Sequence, residues 1–534
     1  MTLLHLWLLL ISSACLCEAD LFSSIFGLEQ LMLTERGFER IVNDYVDAEM
    51  KRLNRLKQSL HDDTFVSLTG GGAGVDDGLS NPINAYRLVK RHVVDSTSTI
   101  NLMRRNSAEE FIERLASEYI LPSTEDLEGA AAAIFRLQDT YLLTPEQFAS
   151  GEIPGAAAHI SMDANDCFLL ANIAFQNRDF YHAIPWLFLV EQKLNANMTE
   201  TNRKTLNFNH TMVYDYMSYS MYAQQNIEWA VYYSRLLTSV DPTYITASYL
   251  PIYEELLKEK NSTWDGRVHT LPPYNNPRMI PPMFQNYEAL CRGEIFMDPA
   301  YESSLSCYYK RDTPYLNLAP IKVERLYNDP EVVMFREVLS DRETDFLKEI
   351  SGPNLRRALV VNTQKADDYE VDNVEASFRV AKNYWVPEHE HRTIDPIMSR
   401  IDAMTGLDLS TSEQLQIQNY GMGGHYEPHF DMAMEDEDID INNSAMGNRV
   451  ATLLYYLSEP EAGGATVFEE LKIAVFPSKN DALFWHNVRR DGVPDLRTRH
   501  AACPVIYGQK WVANKWVHER GQEFRRPCAL DPGV

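Results

Sequence analysis

The residues best suited to chemistry fall in two stretches of the C-terminal part of the chain. These are NYGMGGHYEPHFDMAM at 419–434 and TRHAACPVIYGQKWVANKW at 498–516. His429 and Asp431 are two apart, so on an extended strand both side chains leave the same face. His500 arrives from far along the chain, as a closed β barrel allows. Two imidazoles and one carboxylate make the facial triad of a non-haem Fe(II) oxygenase, which leaves coordination positions open for substrate chemistry. Lys510 follows ten residues after His500 (510 − 500) and offers a cation for a cosubstrate carboxylate. An isolated H-x-D is a loose pattern and is usually a surface polar pair. The Gly-rich approach, the second histidine and the lysine together make it a candidate site.

These residues need a β scaffold. From about Ile321 the sequence turns to short alternating runs such as RVATLLYYLS, GGATVFEE, DALFWHNV and PVIYGQKWVANKWVHE, which predict a sandwich or barrel. The acidic run 435–440 has no apolar period and reads as a solvated loop near the site entrance, not a metal site. The N-terminal half is helical. Val42, Val46, Met50, Leu53, Leu56 and Leu60 step by three and four along one stripe. Such a stripe suits a self-association helix, or equally packing on the chain's own next helices. Gly70–Gly74 is a flexible loop, Ser107–Glu110 a capping box, and 130–141 another helix. Residues 163–258 carry paired helices that resemble the tetratricopeptide repeat, whose concave face is a peptide groove. Tyr216, Tyr219 and Tyr222 lie along one side of a helix, with Tyr253 nearby. A stripe like this is usually core, but the tyrosine hydroxyl needs a partner, and several rings together suit a groove for polyproline II peptides. Residues 262–285 are Pro-rich and mark a domain boundary.

Met1–Ala19 reads as a secretory signal whose apolar run is too short to span a bilayer, and no other uninterrupted apolar segment reaches about 18 residues. Sequons stand at Asn197, Asn209, Asn261 and Asn442. Of seven cysteines, Cys15 and Cys17 leave with the signal, so five remain (7 − 2). Proximity pairs Cys291 with Cys307 and Cys503 with Cys528, leaving Cys167 over. The net charge of −27 argues against a nucleic-acid partner, which needs a basic face.

The segments NYGMGGHYEPHFD, GNRVATLLYYLSEPEAGGATVF and TRHAACPVIYGQKWVANKWVHERGQEFRRPC resemble the catalytic α subunit of collagen prolyl 4-hydroxylases. The likeness runs over nearly the whole mature chain. It implies a double-stranded β-helix (jelly roll) holding Fe(II) on His429, Asp431 and His500, with Lys510 on the distal carboxylate of 2-oxoglutarate. It further implies His518 at the cosubstrate site, O2 as second cosubstrate and ascorbate as reductant. The assembly it implies is a tetramer of two such chains with two protein disulfide isomerase subunits, acting on collagen-like proline-rich peptides in the endoplasmic reticulum lumen. The chain ends DPGV without a retention signal, so residence there would rest on the partner. Phe175, Thr246 and Leu250 depart from the expected groove residues, which bears on peptide preference and not on catalysis.

The domain organisation expected is a signal peptide at 1–19, an N-terminal helical, coiled-coil-like dimerisation region at 20–160 and a tetratricopeptide-like peptide-binding domain at 161–261. A Pro-rich linker with a Cys291–Cys307 bridge follows at 262–320, then the dioxygenase domain at 321–534. The rival readings are a peptide-binding subunit with little activity, and a hydroxylase of lysine or of a non-collagen proline-rich secreted protein. Against the first stand the intact triad and Lys510, since an inactive site has no physical need for all four.

Overall fold

The computed structural model describes residues 24–61, 82–90, 93, 96–104, 108–119, 121–196, 206–270, 282–361, 373–375, 379–387, 391–434 and 446–529. The signal at 1–19, the Gly-rich 70–74, Ser107, Asn197, Asn442, the acidic 435–440 and the DPGV end lie outside these residues. Two compact units divide the chain, one of residues 28–123 and one of residues 124–534 together with those up to Gly27.

In the 28–123 unit the long helix Ile25–His61 carries the apolar stripe. It meets the helix Ala108–Glu118 through an Arg114–Asp44 ion pair at 3.1 Å and a Tyr45–Phe111 edge contact at 5.6 Å. Val42, Val46, Met50 and Leu53 remain exposed among the described residues.

The region expected at 161–261 holds the helices Ala164–Gln176, Phe180–Asn195, His210–Ala223, Ile227–Val240 and Leu250–Glu259. Each of the first four starts where a short polar side chain, Asp163, Asp179, Asn209 or Asn226, accepts a free first-turn amide. Arg178 and Gln225 take left-handed backbone at the same point of both helix pairs, just before the second N-cap. That shared turn is the local mark of a repeat. Between the helices Cys167, Ala171, Trp186, Leu187, Val213, Met217, Ala230 and Val231 are fully buried.

The C-terminal strands form an antiparallel nine-stranded sheet and a five-stranded sheet. The central strand Arg449–Tyr456 is buried without a gap from Val450 to Tyr456. Leu453 and Tyr455 pack outward under the helices Asp341–Ser351 and Ile394–Thr405, while Leu454 and Tyr456 pack inward with Phe468 and Ala502 of the smaller sheet. Period-two alternation buries both faces when each is covered. The C-terminal part is therefore the β-sheet domain expected, preceded by helical regions.

Two expectations change here. The 262–320 stretch ceases to be a linker at Pro282. Its helix Pro282–Cys291 packs Tyr287 and Leu290 on Val467 and Ala501, and its strand Cys307–Lys310 pairs with Ile321–Tyr327 at the edge of the large sheet. Neither predicted disulfide forms. Cys291 is bonded to Cys503 across 212 residues, with Cα atoms 5.6 Å apart, while Cys307 and Cys528 are exposed and free and Cys167 is buried and free. Proximity in sequence misled because the 282–291 helix lies directly on the segment that follows His500, whereas Cys307 leaves along an edge strand.

Candidate active site

Ladder register brings the site together. The strand His425–His429 lies antiparallel to His500–Ala502 with His429 opposite His500, and Phe468 pairs with His500 on its other side. Asp431 follows at the strand end. One ligand atom from each of His429, Asp431 and His500 falls within 4.8 Å of the others, the one such cluster of its kind among the described residues. His429 Nε2 is 3.7 Å from Asp431 Oδ1, and His500 Nε2 is 3.6 Å from Asp431 Oδ2. Each ring is fixed from behind, His429 Nδ1 donating to the Glu427 carbonyl at 2.7 Å and His500 Nδ1 to that of Thr498 at 3.1 Å. A carbonyl only accepts, so these bonds set the tautomer that leaves both Nε2 lone pairs facing the cluster.

Asp431 is fixed as firmly. Thr452 Oγ1 donates to its Oδ2 at 2.6 Å, and Asn487 in turn donates to Thr452 at 2.9 Å. Burial would raise this carboxyl, but the neighbouring His500, His429 and Arg449 and the Thr452 bond outweigh it and hold it below the usual carboxylate range. Burial, reinforced by His500, pushes the His429 imidazole down to about 3, so it stays neutral and free to ligate.

The cluster opens on a cavity of about 410 Å³ that includes some open solvent. Its floor is one face of the strand Lys510–His518, the alternate residues Lys510, Val512, Asn514 and Trp516. Register sets Tyr420 opposite Lys510, Gln418 opposite Val512, Leu454 opposite Asn514 and Thr452 opposite Trp516. Lys510 is 1 % exposed, and its amine has no hydrogen-bond partner among the described residues. It stands 5.3 Å over the Tyr420 ring, and burial pulls it down to about 7. An orphaned buried cation fits a ligand carboxylate. The indole N–H groups of Trp485 and Trp516 and the Asn514 carbonyl on the same wall are likewise without partners among the described residues.

His518 continues the Lys510 face and lies outside the lining of this cavity. Nε2 meets Glu413 at 3.0 Å and Nδ1 donates to the Gly447 carbonyl at 2.6 Å. Glu413 holds Arg449, which donates to the Asp431 carbonyl and covers the Trp516 ring at 4.2 Å. The histidine thus reaches the site only through this chain. Sequence reading passed over Tyr420, Thr452, Asn514, Trp516 and Arg449. Two-residue steps from Lys510 along its strand would have found Asn514 and Trp516.

The tyrosines converge on one aromatic row. Tyr216 stacks on Phe175 at 4.2 Å, Phe175 meets Tyr219 at 5.8 Å, Tyr219 meets Tyr222 at 6.3 Å and Tyr222 stacks on Tyr253 at 4.9 Å. Tyr219 and Tyr222 are exposed and Tyr253 is buried behind them. Of the departures, Phe175 is thus built into the row, Thr246 donates to Asp215 at 2.6 Å, and Leu250 packs against the helical core. Asn209 caps its helix with its side-chain oxygen, and Asn261 is exposed at a left-handed turn.

Comparison with known proteins gives three family matches. Residues 24–155 match the prolyl 4-hydroxylase alpha-subunit N-terminal region, 164–259 the prolyl 4-hydroxylase peptide-substrate-binding domain and 415–518 the 2OG-Fe(II) oxygenase superfamily. The chain is 41% identical over 98% of its length to prolyl 4-hydroxylase subunit alpha-2 of Caenorhabditis elegans, covering 95% of that protein. It is 36% identical to human prolyl 4-hydroxylase subunit alpha-1, over 96% of each chain. The oxygenase match brings Fe(II), 2-oxoglutarate and O2, with ascorbate typical of the family, and the His-Asp-His donor set and the unpaired Lys510 suit the metal and the dianion. A triad set by one ladder register, a peptide-binding repeat before it and full-length identity to named relatives lead to one statement: the chain belongs to the prolyl 4-hydroxylase alpha-subunit family.

Proposed function

We propose that this chain is the catalytic α subunit of a procollagen-proline 4-dioxygenase, hydroxylating C4 of proline in collagen-like peptides. His429, Asp431 and His500 hold Fe(II), and Lys510 binds the distal carboxylate of 2-oxoglutarate. When bound, the metal and cosubstrate supply oxidative decarboxylation to succinate and CO2, with transfer of one oxygen atom of O2 into a C–H bond. The rest is done by the chain. Lys510 is buried without a partner among the described residues, so a carboxylate arriving beside it restores its charge and orients the cosubstrate. Thr452 and Asn487 keep the Asp431 carboxylate aimed. Leu454, Val512 and Trp485 give the cavity apolar wall beside the triad. The aromatic row of Tyr216, Tyr219, Tyr222 and Tyr253 receives an extended proline-rich segment.

The single observation that carries the reading is the orphaned Lys510 amine on the wall of the cavity that the triad faces. The secretory signal, the sequons and residence in the endoplasmic reticulum lumen belong to the same reading. So do pairing through the exposed stripe of the Ile25–His61 helix and assembly with protein disulfide isomerase. The deciding experiment is peptide-dependent succinate formation by the purified assembled enzyme and by His429→Ala, Asp431→Ala and His500→Ala. Turnover should require Fe(II), 2-oxoglutarate and a proline-rich peptide and vanish in each variant. Substantial turnover in any variant, or none in the wild type, defeats the assignment.

A further inference from the structure

The helix Thr124–Tyr141 contributes to two cores at once. On one face Ala131 and Phe135 belong to the core of the peptide domain. Phe135 stacks on His182 at 4.8 Å, Asp139 meets His182 at 3.2 Å, and Gln138 accepts from the indole of the fully buried Trp186 at 2.8 Å. The other face is pressed on the oxygenase domain. Arg136 donates to the Gly423 carbonyl at 2.7 Å, and Tyr141 donates to the Pro504 carbonyl at 2.6 Å while packing beside Cys291 and Cys503. The approach is close. A Cβ on Gly423 would lie 2.8 Å from that of Ala133, and one on Gly463 would lie 2.9 Å from the Tyr141 hydroxyl. At 100° per residue, Ala133, Arg136 and Thr140 fall on the side opposite Ala131, Phe135, Gln138 and Asp139.

The two gripped segments are those of the candidate site. Gly423 lies in the turn before the strand that carries His425 and His429, and Pro504 follows the strand that carries His500. The turn and the segment also bind each other, Gly423 donating to the Val505 carbonyl at 2.9 Å and Val505 to that of Gly424 at 3.2 Å. A flexible tether would let the peptide domain wander. A helix shared by both cores fixes where a bound peptide stands relative to the metal ligands.

We propose that the Thr124–Tyr141 helix sets the register between the aromatic row and the iron site, with Arg136 and Tyr141 as its positioning residues on the oxygenase domain. This rests on the peptide-groove reading above. A rigid connection raises the effective concentration of a long peptide's second segment at the iron site, and loosening it removes that advantage without touching either site.

The test uses the full assembled enzyme with Arg136→Met combined with Tyr141→Phe, and with Tyr141→Phe alone, which removes one hydroxyl and little else. The readouts are KM and kcat for long (Pro-Pro-Gly) repeats and for a peptide too short to reach both domains. Long-peptide affinity in the absence of turnover, the 2-oxoglutarate KM and the melting temperature complete the set. The double variant should raise the long-peptide KM by about tenfold. Its short-peptide constants, its 2-oxoglutarate KM and the affinity of its groove for long peptide without Fe(II) and 2-oxoglutarate should stay at wild-type values, and Tyr141→Phe should move the same constant less. Parallel rises for both peptides, a raised 2-oxoglutarate KM or a collapsed melting temperature would show that these residues only support the fold, and would overturn the proposal. A length advantage kept in the double variant overturns the register role alone. No length advantage in the wild type overturns the groove reading and the register role with it.

Discussion

Lys510→Met should have effects of opposite sign on the protein and on its cosubstrate. Burial takes the Lys510 amine from 10.5 to about 7, with no partner among the described residues to offset it. A lysine whose folded pKa is depressed contributes its full share of stability only above its unfolded value. That share is lost as pH falls from 10.5 through about 7, because the unfolded chain binds the extra proton there. At about 1.4 kcal/mol per pH unit, the penalty near neutrality is on the order of 5 kcal/mol as an upper bound. Methionine fills a similar volume without a charge, so the variant free of cosubstrate should unfold at higher urea, by a few kcal/mol at neutral pH. The excess should shrink as pH approaches 10. Against this, leaving the cosubstrate carboxylate unpaired costs roughly 3–5 kcal/mol, or about a hundred-fold to several-thousand-fold loss of 2-oxoglutarate affinity. Urea unfolding across pH without cosubstrate, paired with the 2-oxoglutarate and peptide KM values, reads both effects. A destabilised variant, or a 2-oxoglutarate KM that rises no more than that for peptide, would refute the assignment and make Lys510 a structural lysine.

Thr452→Val removes the bond that aims Asp431 and should raise the Fe(II) requirement about tenfold with the peptide KM unchanged, measured by metal titration of turnover. Burial would lower His182, but hydrogen bonds and charges from Asp139 and Asp179 raise it to about 9. A histidine with a raised folded pKa gives stability that is complete below its unfolded value of about 6.5 and lost as pH rises through about 9. Urea unfolding should show that decline, and His182→Gln should abolish it. Replacing Tyr216, Tyr219 and Tyr222 together by Ala should weaken binding of long (Pro-Pro-Gly) repeats by about 100-fold at roughly 1 kcal/mol per ring. Normal binding with helices intact by circular dichroism would place the groove elsewhere.

Much of the site could be read from spacing within single elements. Lys510 heading an alternating run and tyrosines three apart on a helix each share a face whatever the rest of the chain does, because side-chain direction follows backbone period, while Asp431 falls two residues past His429, just beyond the end of its strand. The apolar stripe and the paired helices followed from the same rule. What crosses between elements could not be read that way. That His429 faces His500, that Thr452 reaches Asp431 and that His518 spends its ring on Glu413 depend on ladder register, which the tertiary packing selects. Cys291 bonding Cys503, and not the nearer Cys307, follows from a helix lying on the smaller sheet 212 residues away in sequence. The double allegiance of the Thr124–Tyr141 helix was hidden for the same reason. Its composition shows which residues are apolar but not which of two cores each will enter, and only packing of both domains against opposite faces decides that.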